Sequence, residues 1–285
     1  SEVNYNYTEA NSWQYSFFVP HDVTGLVGVH KGKDLFEKRL DQLFKVDSKL
    51  AGRQQADITG MIGQYAHGNE PSHHMAYLYN MIGKPFKSQK IVREIIDQMY
   101  SNQPEGISGN EDCGQMSAWY VLSAIGLYDL NPGDEYYIIQ TPLFDEVKLK
   151  LENGKNFTIK TIGDQNSDAI YIKSISLNGK ELDRNYLSIK EINGGGEMII
   201  EKSVQPNLQW PNEYYKTSID SKFEIVLNPR IIAESLTFKD SILIDIQCDN
   251  CHEINYRSSK KSVFKKFTKP FYIYGIQGIL NIINF

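Results

Sequence analysis

Only three cysteines, Cys113, Cys248 and Cys251, occur in the 285 residues, too few for a disulfide framework. Cys248 and Cys251 form a C-x-x-C, but no second pair exists to complete a zinc site. The flanking residues read as strands, not as the βαβ setting of a redox pair. Cys113 stands alone and reads as a packed side chain, not a nucleophile. Positive charge is not in excess: 30 Lys and Arg against 35 Asp and Glu leave a net charge of −5. That argues against a nucleic-acid partner, which needs clustered basic groups. No apolar run approaches the roughly 20 residues of a membrane-spanning helix. The start, Ser1 to Tyr7, is polar and aromatic and is no signal peptide.

Hydrophobic residues make up 41% of the chain and charged residues 23%, the balance of a folded soluble protein. The length suits one large domain or two ordinary ones. Aromatics are plentiful, with 18 Tyr, 13 Phe and 3 Trp. They fill cores, and their faces also suit the apolar faces of sugar rings.

The texture changes near residue 136. Before it, apolar residues recur at helical spacing. Leu35, Phe36, Leu40, Leu43 and Phe44 share one face of a helix over 34–44. Residues 72–82 offer Met75, Leu78, Tyr79 and Ile82, and residues 88–100 offer Ile91, Ile95, Ile96 and Met99, with Pro85 between them as a stop-and-start signal. A more hydrophobic helix over 115–127 is expected to be buried. These antiparallel helices suggest an α/α arrangement. After residue 136 the pattern alternates. Stretches 147–151 and 157–162 flank Asn153-Gly154, and 170–177 precedes Asn178-Gly179, both strong hairpin turns. Gly194-Gly195-Gly196 then leads into Met198-Ile199-Ile200. An antiparallel β domain is expected over 136–212. From 213 to 285 a small β-sandwich is expected, with strands at 223–227, 241–247 and 272–276, and with 280–285 as a closing strand at or near a natural end.

Four polar and aromatic clusters lie at loop-like positions in the first 120 residues: 8–15, 19–22, 67–74 and 109–115. In the last, Glu111 and Asp112 precede a helix, where one acid would serve as a cap. Two acids between Gly109 and Gly114 exceed that need, and the glycines allow close approach to a ligand. In the third, His67, His73 and His74 accompany Asn69 and Glu70, but the zinc spacing H-E-x-x-H is absent. A hard cation held by oxygens of Asn69, Glu70 or backbone carbonyls fits better, and His67 suits a hydrogen bond to a ligand hydroxyl. In the first, Glu9 lies beside Trp13 and Tyr15. Desolvation favours a protonated carboxyl, which suits a general acid. Glu9 and Asp112 together would make a hydrolase pair if the fold brought them to one mouth.

These blocks resemble glycoside hydrolase family 92. The family's E-G-N-A-W-Q-Y-x-x-x-V-P-H-D-V is matched by Glu9, Asn11, Trp13, Gln14 and Tyr15, then Val19, Pro20, His21, Asp22 and Val23. Its H-x-N-E-P-x-H-H is matched by His67, Asn69, Glu70, Pro71, His73 and His74. Its G-N-x-D-x-G-x-M-S-A-W is matched by Gly109, Asn110, Asp112, Gly114, Met116, Ser117, Ala118 and Trp119. The resemblance fades after Trp210, and residues 228–285 weakly resemble the small β-sandwich modules appended to some β-hexosaminidases.

The resemblance implies an inverting, calcium-dependent exo-α-mannosidase acting on terminal, often α-1,2-linked, mannose of N-glycans or yeast mannan. It implies an α+β chain: the C-terminal half of an (α/α)6 barrel with active-site loops (1–135), the antiparallel β domain (136–212) and the small sandwich (213–285). Glu9 would be the general acid and Asp112 the general base. Trp13, His21, His67, Glu70 and Asn110 would contact substrate, and Asn69 and Glu70 would serve Ca2+. Two departures stand out: Ala10 replaces the family's Gly after the acid, and Asn110 stands where some members carry a helping acid. Family members are much longer and have an N-terminal half, so the chain by itself is expected to be inactive. A secreted, periplasmic or cell-surface location follows from the resemblance alone. Rival readings are a non-catalytic carbohydrate-binding or interaction fragment, an α/α hydrolase of another sugar, and a degenerate family member.

Overall fold

The computed structural model describes residues 2–164, 166–219, 229–235, 237–248, 253–257 and 262–279. The chain divides into two compact units, residues 1–219 and 220–285. The helical and strand-rich stretches on either side of residue 136 therefore belong to one unit.

In that first unit the helices are α1 (Ser12–Tyr15), α2 (Val23–Val29), α3 (Lys33–Lys45), α4 (Pro85–Met99), α5 (Gln115–Ile125) and α6 (Ile189–Gly194). Helix α3 buries Phe36, Leu40, Leu43 and Phe44, one stripe at helical spacing, while Leu35 faces out. Helix α4 opens with Pro85 at its first position, where the missing amide costs nothing, and buries Val92, Ile95 and Ile96. Between them, Met75–Ile82 is a 3-10 helix whose eight side chains are all buried. The amphipathic helix expected over 72–82 is thus replaced by a fully enclosed one. Helices α2, α3 and α4 pack around it and leave no solvent face. Helix α5 departs the other way: Met116, Trp119, Ser123 and Ala124 are buried, but Val121 is 53% exposed. Its apolar composition suggested full burial, yet one side meets no partner among the described residues.

A five-stranded sheet follows, in the order 180–181, 171–177, 196–203, 156–163, 146–150. Both Asn-Gly hairpins form, and Asn178 and Gly179 take φ of 51° and 77°, the left-handed pair that a tight hairpin turn demands. The sheet is not purely antiparallel as expected. Strand 196–203 runs antiparallel to 171–177 but parallel to 156–163. The chain enters it through α6 instead of a hairpin, and alternation along a sequence carries no strand direction.

A small sheet of Leu127–Tyr128, Tyr136–Ile139 and Tyr186–Ser188 joins the two layers. Successive strand residues point to opposite faces. Tyr128 and Ile138 enter the core around the helices, while Leu127, Ile139 and Leu187 enter the core of the five-stranded sheet.

The second unit has a three-stranded antiparallel sheet, Arg230–Ile232, Thr237–Gln247 and Phe271–Ile279, and a two-stranded pair, Asn255–Tyr256 with Lys265–Lys266. Ile242, Ile244 and Ile246 form its core with Tyr256, Phe267 and Phe271 packed against them. The expected strands at 241–247 and 272–276 lie within it. Those at 223–227 and 280–285, and Asn228 and Cys251, lie outside the described residues. Cys248 is disulfide-bonded, so this half of the C-x-x-C is neither metal ligand nor free thiol.

Candidate active site

Three sequence blocks converge here, each anchored by buried polar groups. Asn11 caps α1: its Oδ1 accepts the Trp13 amide at 2.9 Å, and Gln14 Oε1 accepts the Asn11 amide at 2.8 Å. Asn11 Nδ2 also donates to Gln64 Oε1 at 2.9 Å, and Gln14 Nε2 donates to the Gln64 carbonyl. All three side chains are buried, and unpaired buried amides would be costly, so this triad fixes where residue 9 emerges. Asn69 Nδ2 then donates to the Glu9 carbonyl at 2.7 Å, tying the first block to the histidine-rich one.

The acidic block docks on the same segment. Gly109, at φ 82°, lies so close to Gly68 that a Cβ there would sit 2.7 Å from the Gly68 carbonyl oxygen. Gln115 Nε2 donates to His73 Nδ1 at 3.3 Å. Glu111 Oε1 accepts the Ser117 amide at 3.2 Å and so caps α5. That leaves Asp112, exposed, with its carboxylate uncommitted among the described residues. Both candidate carboxylates sit in left-handed backbone, Glu9 at φ 52° and Asp112 at φ 47°, followed by Cys113 at 57° and Gly114 at 97°. Such conformations cost energy for residues with a Cβ and gather at functional sites. Cys113 is exposed, not packed as expected, because the left-handed turn carries it to the surface.

Behind the acids lies a buried histidine cluster. His67 is fully buried, with Nδ1 2.8 Å from the Tyr65 hydroxyl and Nε2 2.7 Å from the Tyr100 hydroxyl. Both ring nitrogens are thus engaged, which corrects the expectation that His67 meets a ligand hydroxyl. His73 Nε2 donates to the His67 carbonyl at 2.9 Å, and His74 Nε2 to the Phe17 carbonyl at 2.8 Å. Burial, helped by the neighbouring His73, holds His67 down to about 3, and burial holds His74 down to about 4. Burial also lowers His73, against the opposing pull of the His67 carbonyl and the Asp112 charge. The unfolded chain binds these protons near pH 6.5 and the folded chain does not, so stability is full above pH 6.5 and falls with acidification. At pH 5, His67 and His74 each cost about 2 kcal/mol. A thermal melt should therefore shift down by several degrees between pH 7 and pH 5, above the range where carboxylates titrate. An unchanged Tm over that interval would contradict neutral buried histidines.

The remaining expected residues lie nearby or outside this convergence. Trp13 is half-buried, with the Arg39 guanidinium over its ring at 3.7 Å, and it lines a cavity of about 390 Å³ with Asp47, Lys49 and Gln64. His21 is exposed in a 3-10 turn. Asn110 is exposed and reaches Asp57 Oδ1 at 3.4 Å. Glu70 is exposed. As a calcium site, Asn69 and Glu70 offer the right atoms: Asn69 commits its Nδ2 to Glu9 and keeps Oδ1, and Glu70 keeps its carboxylate. Calcium takes six to eight oxygens, so this pair fits in kind and supplies part of a shell. No group of three His, Cys, Asp or Glu that could hold a metal occurs among the described residues. Sequence reasoning missed Gln64, Tyr65, Tyr100 and Asp57. They sit in ordinary-looking stretches, and their contacts in the fold reveal them.

The profile of the glycosyl hydrolase family 92 catalytic domain matches residues 1–203. A curated relative from Arthroderma benhamiae, named an uncharacterized secreted glycosidase, is 33% identical over 192 residues, covering 67% of this chain and 23% of its own. A family GH92 alpha-mannosidase from Bacteroides thetaiotaomicron, solved with mannoimidazole, superposes with a TM-score of 0.67 at 41% identity, over 70% of this chain and 26% of that one. A family GH92 inverting mannosidase from Bacteroides thetaiotaomicron VPI-5482 gives 0.64 at 37% identity, over 74% and 30%. The chain spans about a quarter of the length of these relatives. Among the described residues, no helix is long and apolar enough to cross a membrane. With the three motif blocks meeting in one place and the profile matching most of its length, the chain belongs to glycosyl hydrolase family 92.

Proposed function

We propose that residues 1–203 form part of an inverting exo-α-mannosidase that removes terminal α-linked mannose, in the first instance α-1,2-linked, from glycans. The observation that carries this reading is that Glu9, through its carbonyl, and the loop bearing Asp112, through Gly109, both dock on the Gly68–Asn69 segment of a family 92 chain, with both acids in left-handed backbone. In the reaction, Glu9 gives its proton to the glycosidic oxygen as the C1–O bond breaks. Asp112 takes a proton from the water whose oxygen bonds to C1 from the opposite face, which inverts the anomeric centre. Trp13, His21, Glu70 and Asn110 contact the sugar, and His67 acts from behind. The helices of residues 1–135 contribute to an (α/α)6 barrel.

Asn69 and Glu70 would hold a calcium ion. When bound, the ion supplies positive charge against sugar hydroxyls. Export of the protein to a secreted, periplasmic or cell-surface location is supported by the name of the Arthroderma relative.

The test is a chimera in which residues 1–203 replace the matching segment of the 41%-identical Bacteroides mannosidase. Release of β-mannose from α-1,2-mannobiose supports the reading, and a well-folded chimera without activity overturns it. The chain alone, with added calcium, is expected to release no mannose, because it spans only about a quarter of its relatives' length. Measurable release by the isolated chain would refute that expectation.

A further inference from the structure

Tyr100 follows α4 directly, and its hydroxyl holds two elements together. It lies 2.7 Å from His67 Nε2 and donates to the Met116 carbonyl at 3.1 Å. Since its one proton goes to Met116, it accepts from His67, which places the imidazole proton on Nε2. His67 Nδ1 is then the acceptor for the Tyr65 hydroxyl at 2.8 Å. The directions agree along the whole chain: Tyr65 gives to His67, His67 to Tyr100, and Tyr100 to Met116. A chain with one consistent direction satisfies every member and is rigid.

Met116 is where this chain meets the acidic loop. Its amide donates to the Glu111 carbonyl at 3.3 Å, the Gln115 amide to the Asp112 carbonyl at 3.2 Å, and the Gly114 amide to the Glu111 carbonyl at 3.2 Å. The first turn of α5 therefore grips the backbone of both acids. The left-handed run at Asp112, Cys113 and Gly114 persists only if its surroundings over-determine it. The amides grip it from one side, and Tyr100 anchors the gripping turn to the buried core. Trp119 stacks parallel to the Tyr100 ring at 6.0 Å and donates to the His73 carbonyl, which fixes the ring plane.

We propose that Tyr100 is a positioning residue for Asp112, acting through the Tyr65–His67–Tyr100–Met116 hydrogen-bond chain. The assignment of a role to Asp112 rests on the mannosidase reading; the holding of the loop does not.

The experiment uses the full chain, labelled with nitrogen-15, with Tyr100→Phe as the first variant. Phe keeps the ring stacking and removes only the hydroxyl. Exchange of the Gly114, Gln115 and Met116 amides is expected to accelerate about tenfold, with α4 and the five-stranded sheet unchanged. The His67 ring nitrogens are expected to lose their single-tautomer signature. Tyr65→Phe leaves the Met116 bond in place, so it should disturb the tautomer with a smaller gain in loop exchange. Tyr120→Phe, whose ring packs on Tyr100 at 4.9 Å outside the hydrogen-bond chain, should change neither. Unchanged loop exchange in Tyr100→Phe overturns the proposal. So does equal acceleration throughout the unit, or failure of that variant to fold, since each marks a general structural role. In the active chimera, Tyr100→Phe should lower kcat about tenfold at constant KM, and a change in KM alone also overturns it. Activity retained by Asp112→Asn in the same chimera would defeat the mannosidase reading while leaving the exchange result to stand on its own.

Discussion

Replacing Asp112 by Asn in the chimera should lower kcat for mannose release by roughly 10²–10⁴-fold, the usual contribution of a general base. The substitution isolates the chemistry. Asn matches Asp in shape and accepts left-handed backbone at least as readily, so the φ of 47° at residue 112 is not disturbed. The cap on α5 is also untouched, because Glu111 and not Asp112 takes the Ser117 amide. What Asn lacks is the ability to take a proton from water. The loss should therefore appear in kcat with the melting temperature unchanged. Activity within about fivefold of the parent would remove Asp112 from the role of base, since far more than that is expected of the base.

The largest loss of stability is expected from Trp119→Ala, about 3–5 kcal/mol. Trp119 is buried, its ring lies 4.5 Å from His67 and 6.1 Å from Tyr77, and its indole N–H donates to the His73 carbonyl at 3.1 Å. Ala leaves a cavity that the surrounding aromatic rings are too rigid to fill, and it leaves the His73 carbonyl without that donor. Trp119→Phe should cost less, since it refills most of the volume and loses only the N–H. Urea denaturation of the chain checks both: the midpoint should fall with the slope unchanged, and in the order Phe then Ala. A cost below 1 kcal/mol for Ala would mean that this aromatic cluster does not carry the core behind the acids.

Much of the site was legible along the chain because short motifs carry it locally. The clusters at 8–15, 67–74 and 109–115 stood out by their polar and aromatic residues, while the capping box at Asn11-Ser12-Trp13-Gln14 and the left-handed turns at Gly109 and Gly114 came from the structure. The hairpins at Asn153-Gly154 and Asn178-Gly179 were equally readable, since the turn chemistry lies in two adjacent residues. Other readings failed where the outcome depended on distant partners. His67 looked like a ligand contact until Tyr65 and Tyr100 were seen to take both nitrogens. Glu111 and Asp112 were told apart only by the resemblance, which named Asp112, and what Glu111 does, accepting the Ser117 amide at the start of α5, came from the structure. The helix at 72–82 looked amphipathic, yet neighbours enclose it on every side.

Family membership was therefore legible in the sequence itself, because the motif residues are contiguous, and the same motifs nominated Glu9 and Asp112 as candidate acids. Which histidines are locked away, and how strand 196–203 comes to run parallel to 156–163, were decided by the tertiary structure alone. Each depends on groups tens of residues apart, and a buried polar atom takes whichever partner the fold delivers.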